Sequence, residues 1–191
     1  KLKSVAVVLS NCGAPSGRDV LITELAKHFP VVSYGRCYED LWSEKKKRNK
    51  NVGGVYDTTF KQKSVLQKHM FAFAIPNVIE VDWIEEKLFC ALHAGAIPIV
   101  FSNASSNILD FLPCTNCVIN IDDYSSMIDL GARLLEIADN RSLYAEYHAW
   151  RKSFDINNHP SFKRVYELSV DTLPCRMSEV LRPGSCPPWC I

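Results

Sequence analysis

The feature that most constrains the fold of this chain is the alternation of short, continuous apolar runs with stretches of helical periodicity. The first run, residues 5–9, is apolar at every position, which is typical of a strand buried on both faces of a parallel sheet. A glycine-containing turn follows, and residues 18–29 then carry apolar side chains at helical spacing. Residues 31–35, "VVSYG", indicate a second strand. These segments predict a β-turn-α-β unit.

The same alternation continues along the chain. Helices and strands are indicated, in order, by "FKQKSVLQKH", "FAFAI", "WIEEKLFCALHAG", "AIPIVF", "CVINI", a helix that begins after "DDYSS", "LYAEYHAWRK" and "FKRVYELSV". Gly95 is placed to end the third of these segments. The pattern predicts an α/β fold, a Rossmann-like open parallel sheet with helices on both faces.

The domain organisation follows from length and local composition. A chain of 191 residues is about the size of one domain. We assign residues 1–173 to this domain and residues 174–191, which are rich in Cys and Pro, to a tail fixed by disulfides. The lysine-rich residues 43–54 are interpreted as a solvated loop rather than as a polyanion-binding patch. Because the chain opens directly on a strand with no initiator Met, we expect it to be a piece of a longer protein.

Charge and hydropathy narrow the range of partners. The chain has 22 basic and 21 acidic residues, so no overall field attracts nucleic acid or an anionic membrane, and any anion site must be local. No apolar run is long enough to span a bilayer, and the apolar segment near the start is too short for a signal peptide. We therefore expect no nucleic-acid partner, and membrane attachment only through an anchor outside these residues.

The eight cysteines are many for a cytosolic domain of this size. Their even number favours disulfides in a secretory compartment, with buried free thiols as the alternative. Cys90 lies on an apolar helix face and is expected in the core. Cys114 and Cys117 form a CxxC that could be a redox pair or half of a zinc site, but no second cysteine or histidine pair has the matching spacing. No metal site is predicted.

Ligands of open parallel sheets bind beyond the carboxyl ends of the strands, which should bring residues 10–18, 76–87 and 102–107 together. The first of these segments, "SNCGAPSGR", opens a helix whose N–H groups are available to an anion. It lacks the GxGxxG fingerprint, which argues against a nicotinamide dehydrogenase. Arg18 could clamp a phosphate or could be an ordinary surface arginine.

The segment "NVIEVDWIEEK" concentrates charge before a predicted buried helix. Lys87 near the helix N-terminus opposes the helix dipole, so it requires a nearby acid or a bound anion. Glu85, Glu86 or a ligand phosphate could each serve. We expect Asp82 to be a helix cap or dipole partner.

The sequence "IDDY" resembles an acidic metal-binding motif only superficially, because its two carboxylates lie at a predicted strand-to-helix junction. Asp122 and Asp123 are expected to be helix caps. The five histidines show no metal-binding spacing.

Three motifs carry a resemblance to a known family. The run "FAFAIPNVIEVDWIEEKLFCALHAGAIPIV" resembles the signature of the α-1,3/α-1,4-fucosyltransferases, and "SNCGAPSGRDVLITELAKHFPVVSYGRC" and "NRSLYAEYHAWRKS" are similar to two further segments of that family. The motifs cover most of residues 5–152, in order. The resemblance implies the C-terminal, GDP-fucose-binding half of a GT-B glycosyltransferase. The N-terminal half would bind the acceptor and supply the carboxylate base, so the catalytic base is expected outside this chain.

The resemblance also implies a set of donor-binding residues. The charges of Arg18 and Lys87 would stabilise the departing GDP without a metal or other cofactor, and Glu86 would accept hydrogen bonds from hydroxyl groups of the donor. The full set of expected donor-binding residues is Ser10, Asn11, Arg18, Asn77, Trp83, Glu86 and Lys87.

The implied reaction is an inverting transfer of L-fucose from GDP-fucose to a hydroxyl of a glycan acceptor, with the 3-OH of GlcNAc on a glycoprotein or glycolipid as the expected position. The implied location is the Golgi lumen, with the full-length protein a single-pass type II membrane protein. Cys12 and Cys37 flank the first β-α-β unit at strand ends, and we predict that they pair. The other disulfide candidates are Cys114, Cys117, Cys175, Cys186 and Cys190.

The sequence departs from the family pattern at four positions next to the expected site, namely Pro76, Val78, Trp83 and Glu85. Trp83 in place of Tyr keeps a flat stacking face and loses a hydroxyl. Glu85 in place of Thr adds a negative charge that should weaken pyrophosphate binding unless it points away. A second hypothesis therefore stays open, that the chain is a non-catalytic binding module that has kept the fold and lost the donor site.

Overall fold

The computed structural model describes residues 1–34, 37, 64–102, 105–114 and 116–170. In these residues the strands are β1 (Leu2–Val7), β2 (Val31–Ser33), β3 (His69–Phe73), β4 (Ile97–Val100) and β5 (Ile119–Asn120). The α-helices are α1 (Arg18–Leu25), α2 (Glu86–Ala94), α3 (Met127–Asp139), α4 (Arg141–Glu146) and α5 (Pro160–Val170). Short 3₁₀ helices at Ile108–Phe111, Ile121–Asp123, Ala149–Lys152 and Ile156–Asn158 lie between them.

The five strands form one sheet in the order β2-β1-β3-β4-β5, and every neighbouring pair is parallel. The predicted open parallel sheet is therefore confirmed. Strand order reverses between β1 and β3, because the chain runs outward from β1 to β2 and then returns to the other side of β1. In sheets of this kind the crevice beyond such a reversal is the usual place for a ligand.

Alternate residues of the strands face two separate apolar layers. Val5 and Val7 of β1 pack with the layer that contains residues of α1 and α3. Ala6, between them, packs with Leu66 and with Ala91 of α2 on the opposite face. The strands are thus covered on both sides, as their continuous apolar runs predict. Cys90 is a buried free thiol in this second layer, which confirms its predicted place in the core.

Helix α2 is fixed at its C-terminal end by donors from distant parts of the chain. Gly95 ends the helix in a left-handed conformation with φ +68°, as predicted. The Lys1 Nζ atom donates to the Ala94 carbonyl oxygen at 3.1 Å, and the Tyr144 hydroxyl donates to that of Gly95 at 3.0 Å. The Arg151 guanidinium donates to the carbonyl oxygen of Leu92. The carbonyl oxygens of Ala94 and Gly95 lie at the end of the helix and receive side-chain donors there, and that of Leu92 accepts Arg151 in addition to the backbone N–H of Gly95.

The prediction that Asp122 and Asp123 are caps is wrong. The side chain of Asn120 accepts the backbone N–H of Asp122 and so caps the 3₁₀ helix that contains both aspartates. The Ser126 hydroxyl caps α3 by accepting the backbone N–H of Asp129. Asn and Ser supply the same short acceptor as Asp, and the one directly before the first helical turn takes the role.

Other boundaries also differ from the predictions. The segment "LYAEYHAWRK" is divided between α4 and a 3₁₀ helix, and β5 contains only two residues. The lysine-rich residues 43–54 and the tail with Cys175, Cys186 and Cys190 lie outside the described residues, so the domain boundary at residue 173 stays a prediction. Within the part of the chain that the structure describes, no helix has the length and apolar character to cross a membrane.

Candidate functional site

The loops that follow β1 and β3 are joined directly at the carboxyl edge of the sheet. The backbone N–H of Ser16 donates to the Asn77 carbonyl oxygen at 3.0 Å. The Asn11 Nδ2 atom donates to the Asn77 Oδ1 atom at 3.3 Å. Asn11 is exposed and Asn77 is half-buried, so their amides line the surface of this junction. The first two predicted site segments therefore meet, and they meet through two of the residues singled out in the sequence.

Arg18 lies beneath these loops and is only 1% exposed. Its Nη1 atom donates to the Ile75 carbonyl oxygen at 3.1 Å, and its Nη2 atom donates to that of Asn11 at 2.9 Å. The alternative of a surface arginine is wrong, because the guanidinium ties the loop after β1 to the end of β3. The Arg18 Nε atom and the nearby Ser16 hydroxyl are buried without a hydrogen-bond partner among the described residues. Direct contact between Arg18 and a phosphate stays a prediction.

The loop before α1 is open on its outer side. Gly13 and Gly17 have φ angles of +71° and +70°, and a Cβ atom at either position would meet nothing within 4 Å. Gly17 is the N-cap residue of α1 and contributes no side-chain cap. The positive end of a helix dipole favours an anion, and the Asp19 carboxylate in the first turn of α1 already accepts the backbone N–H of Ala14 at 3.0 Å there.

Lys87 is paired with two acids in the first turn of α2. Its Nζ atom lies 2.5 Å from the Glu85 Oε2 atom and 3.3 Å from the Glu86 Oε1 atom. The side chains of Lys87 and Glu85 are 16% and 12% exposed, whereas that of Glu86 is 55% exposed. The acid that the sequence requires near Lys87 is therefore present. Glu85 is the closer of the two acids, and it is one of the positions that depart from the family pattern.

Glu85 also fastens the loop that follows β3. It is the N-cap residue of α2, but its carboxylate does not cap that helix. The Glu85 Oε1 atom instead accepts the backbone N–H of Asn77 at 2.7 Å. Burial alone would raise the pKa of Glu85, but the hydrogen bond from Asn77 and the ammonium of Lys87, with a smaller contribution from the side chain of Trp83, outweigh it and lower the pKa. Glu85 is thus held in its charged form.

Asp82 does not cap α2, which corrects the sequence prediction. The helix begins at Glu86, three residues later than the predicted start at Trp83. Asp82 has a left-handed backbone with φ +62° and exchanges hydrogen bonds with Asn107. Asn107 lies in the predicted segment 102–107, but no motif marks it, because its partner is remote in sequence. The third predicted segment therefore joins the other two.

Two of the remaining predicted residues lie at the surface of the same edge. The Trp83 side chain is 47% exposed, so its ring face is accessible for stacking. Ser10 is exposed in the loop that follows β1. Their contact with a ligand stays a prediction.

Two disulfides are present in the described residues. Cys12 is bonded to Cys37, as predicted, and this bond joins the loop after β1 to the segment after β2. Cys114 is bonded to Cys117, so the CxxC is in its oxidised form rather than a half zinc site. Among the residues with described coordinates, no group of three or more His, Cys, Asp or Glu side chains is placed to hold a metal ion.

Comparison with known proteins identifies relatives of the chain. Residues 1–185 match the sequence profile of a family described as "Glycosyltransferase family 10 (fucosyltransferase) C-term". The chain is 32% identical over 158 residues to the GDP-fucose protein O-fucosyltransferase 3 of Xenopus laevis, covering 83% of this chain and 32% of the relative. It is 31% identical over 196 residues to the alpha-(1,4)-fucosyltransferase of Arabidopsis thaliana, covering 94% of this chain and 45% of the relative.

Solved structures with the same fold include a crystal structure of an alpha1,3-fucosyltransferase with GDP-fucose. The TM-score is 0.55 at 18% sequence identity, over 75% of this chain and 37% of the other. The likeness confirms the fold, that of one half of a GT-B glycosyltransferase. The chain therefore spans less than half the length of these relatives.

Proposed function

The chain belongs to glycosyltransferase family 10, the fucosyltransferases, and covers its C-terminal part, and from this premise we propose that it binds GDP-fucose at the carboxyl edge of its sheet. The observation that carries the proposal is the junction of three loops above a buried guanidinium. Asn11, Asn77 and Lys87 line the junction, Arg18 lies below it, and α1 begins at Arg18. These groups supply the positive charge and N–H donors that a diphosphate requires.

Each residue has a role that its placement supports. Lys87 meets a phosphate oxygen with its ammonium. Arg18 contributes its charge from beneath the loops, where its guanidinium is enclosed by protein. The exposed carboxylate of Glu86 accepts hydrogen bonds from sugar hydroxyls, and the amide of Asn77 can donate or accept. The ring of Trp83 stacks on the donor, since its face is accessible.

The proposed reaction, in the full-length protein, is a single displacement with inversion. The acceptor hydroxyl oxygen attacks C1 of fucose while the bond between C1 and the β-phosphate oxygen breaks. GDP leaves with the bonding electrons, and the hydroxyl proton passes to a carboxylate of the N-terminal part of the protein. The residues of this chain stabilise the charge that develops on the diphosphate, and no metal is required for that role.

The acceptor is proposed to be a glycan hydroxyl, with the 3-OH of GlcNAc as the first candidate. The name of one 30% identical relative from Cricetulus griseus, a 4-galactosyl-N-acetylglucosaminide 3-alpha-L-fucosyltransferase, supports this choice. The Xenopus relative is named for protein O-fucosylation, which makes a protein hydroxyl the competing acceptor. We place the full-length protein in the Golgi lumen as a type II membrane protein, and the disulfides support an oxidising compartment.

The experiment that tests donor binding is calorimetric titration of the folded, oxidised chain with GDP and GDP-fucose in the presence of EDTA, with UDP as the control. We expect binding of GDP and GDP-fucose but not of UDP. Lys87→Ala should weaken GDP binding at least about tenfold, and Lys87→Arg should retain part of it, because charge at this position is the main contribution. Equal GDP affinity of the wild type and Lys87→Ala would contradict the assigned site.

A glycan-binding module without transferase activity is the second candidate. The observation that favours it is the pairing of Lys87 with Glu85, which neutralises the cation expected to meet the diphosphate. This candidate predicts no heat of GDP binding to the folded chain, together with retained binding on a glycan array. Transfer of radiolabelled fucose by the full-length protein would exclude it.

A further inference from the structure

The carboxylate of Glu85 contacts two main donors of the candidate site at once, with a smaller contribution from the side chain of Trp83. Its Oε2 atom lies 2.5 Å from the Lys87 Nζ atom, and its Oε1 atom accepts the Asn77 backbone N–H at 2.7 Å. An ammonium and a backbone N–H that converge on one anionic group form a small anion subsite. In the structure this subsite is filled by a side chain of the protein itself.

The contact is not a by-product of helix capping. Glu85 is the N-cap residue of α2 but makes no side-chain cap bond, and its carboxylate instead contacts the backbone N–H of Asn77 and the side chain of Lys87. Both Glu85 and Lys87 are largely shielded from water, at 12% and 16% exposure, whereas the other acid beside Lys87, Glu86, is 55% exposed. A shielded pair at short distance is stronger than an exposed one.

We propose that Glu85 is an internal competitor of the donor diphosphate, which must displace its carboxylate from Lys87 in order to bind. The inference rests on the proposed donor site. Only molecules in which Lys87 has left Glu85 are competent to bind, so the apparent affinity is reduced by the fraction of competent molecules. Glu85 therefore lowers the donor affinity of this chain. A ligand must bring a phosphate group to Lys87 in order to displace the carboxylate.

The substitution that isolates this role is Glu85→Gln. Its side-chain oxygen still accepts the Asn77 N–H, so the loop after β3 keeps its attachment, while the charge that pairs with Lys87 is removed. We expect GDP to bind about tenfold more tightly to Glu85→Gln than to the wild type. The matched control is Glu136→Gln on α3, which removes the same charge from an exposed pair with Arg133 and should leave the GDP affinity unchanged.

A double-mutant cycle establishes that the effect acts through Lys87. In the Lys87→Ala background, Glu85→Gln should change the GDP affinity by less than about twofold, because the contact for which carboxylate and phosphate compete no longer exists. An equal gain in both backgrounds would overturn the proposal, since the carboxylate would then repel the diphosphate through space without occupying Lys87.

The outcomes separate this inference from the proposed function. If Lys87→Ala weakens GDP binding while Glu85→Gln leaves it unchanged or weaker, the competitor is refuted and the donor site stands. If GDP binds to Glu85→Gln but not detectably to the wild type, the inference is supported. If GDP binds to neither folded protein, both are overturned. Matching thermal unfolding of wild type and Glu85→Gln verifies that the compared proteins are folded.

Discussion

Asp82 and Asn107 exchange two hydrogen bonds across the edge of the site. The Asp82 backbone N–H donates to the Asn107 Oδ1 atom at 2.7 Å, and the Asn107 Nδ2 atom donates to the Asp82 Oδ1 atom at 2.9 Å. This reciprocal pair joins the loop that carries Trp83 to the loop after β4. Asp82 adopts φ +62° at this point, a conformation that Asp and Asn tolerate better than most residues do.

The Asp82 pair gives the first prediction. Asp82→Asn should be nearly neutral, because Asn keeps the acceptor oxygen and tolerates the left-handed backbone. Asp82→Ala should lower the free energy of unfolding by about 1–3 kcal/mol, since it loses the bond from Asn107 and strains the backbone. Asp82→Gly, which loses the bond but relieves the strain, should lie between them in urea denaturation. Equal stability of the Ala and Gly variants would show that the backbone conformation carries no cost.

The second prediction concerns two histidines, His69, which is buried, and His148, which is half-buried. Burial lowers the pKa of both His69 and His148 to about 4, and the positive charge of Lys1 adds to the effect in both cases. His69 is enclosed by hydrogen bonds of 2.7 Å with the hydroxyls of Ser4 and Tyr34. In the unfolded chain each histidine takes up a proton near the ordinary histidine pKa of 6.5.

The sign of the pH dependence follows from these two values. Below the unfolded pKa the unfolded state binds more protons than the folded state, so stability is complete above about pH 6.5 and falls as the pH drops toward 4. We expect each histidine to contribute a loss of about 1–3 kcal/mol across that interval. Denaturation at several pH values measures the slope, and His69→Gln should reduce it. A stability that stays flat from pH 7 to 4 would contradict the neutral state of these rings in the folded protein.

Gly131 gives the third prediction, on helix packing. A Cβ atom at this position of α3 would lie 2.8 Å from the His28 Cβ atom and 3.3 Å from its carbonyl oxygen. Replacing Gly by Ala inside a helix normally stabilises a protein by up to about 1 kcal/mol. Here the contact should reverse the sign, with Gly131→Ala destabilising by about 1–3 kcal/mol in thermal or urea unfolding. The comparison variant is Leu135→Ala on the exposed side of α3. A Gly131→Ala protein that is more stable than the wild type would refute the close approach of Gly131 and His28.

The disulfide between Cys12 and Cys37 gives the fourth prediction. It closes a loop of 25 residues that contains α1 and β2, and such a cross-link contributes about 2–4 kcal/mol by limiting the unfolded chain. The paired replacement of both cysteines by serine should lower stability by that amount and weaken GDP binding, because Cys12 is next to Asn11. Cys90→Ala should leave the disulfide map unchanged. Recovery of Cys12 and Cys37 as alkylated free thiols under non-reducing conditions would exclude the bond.

The sequence was sufficient to predict the fold, because the patterns that indicate each strand and helix lie within short segments of the chain. Continuous apolar runs at β1, β3 and β4 and helical spacing in α1 and α3 are each visible within a few residues, and the parallel order follows from their alternation. The edge strand β5 was the least predictable, since only two residues make strand contacts. Propensity alone does not say where an edge strand ends.

The meeting of the three loop segments was predicted, but the contacts between them were predicted only in part. Asn11, Asn77 and Lys87 lie together as expected, since loops at one edge of a parallel sheet converge. The burial of Arg18 and the pairing of Asp82 with Asn107 were not predictable, because they join residues 57 and 25 positions apart through hydrogen bonds that leave no periodic trace. The sequence does not show where the Glu85 side chain points. In the structure its carboxylate accepts the backbone N–H of Asn77.

The burial of Arg18 determines how the site responds to ionic strength. Exposed charges, such as the pair of Lys3 and Asp139, are surrounded by dissolved ions that screen them over about 8 Å at physiological salt. The guanidinium of Arg18 is enclosed by protein, and among the described residues no carboxylate forms an ion pair with it. Mobile ions cannot approach it closely, so we expect the attraction of Arg18 for an anion in the loops above to persist at salt concentrations that remove the influence of the surface lysines.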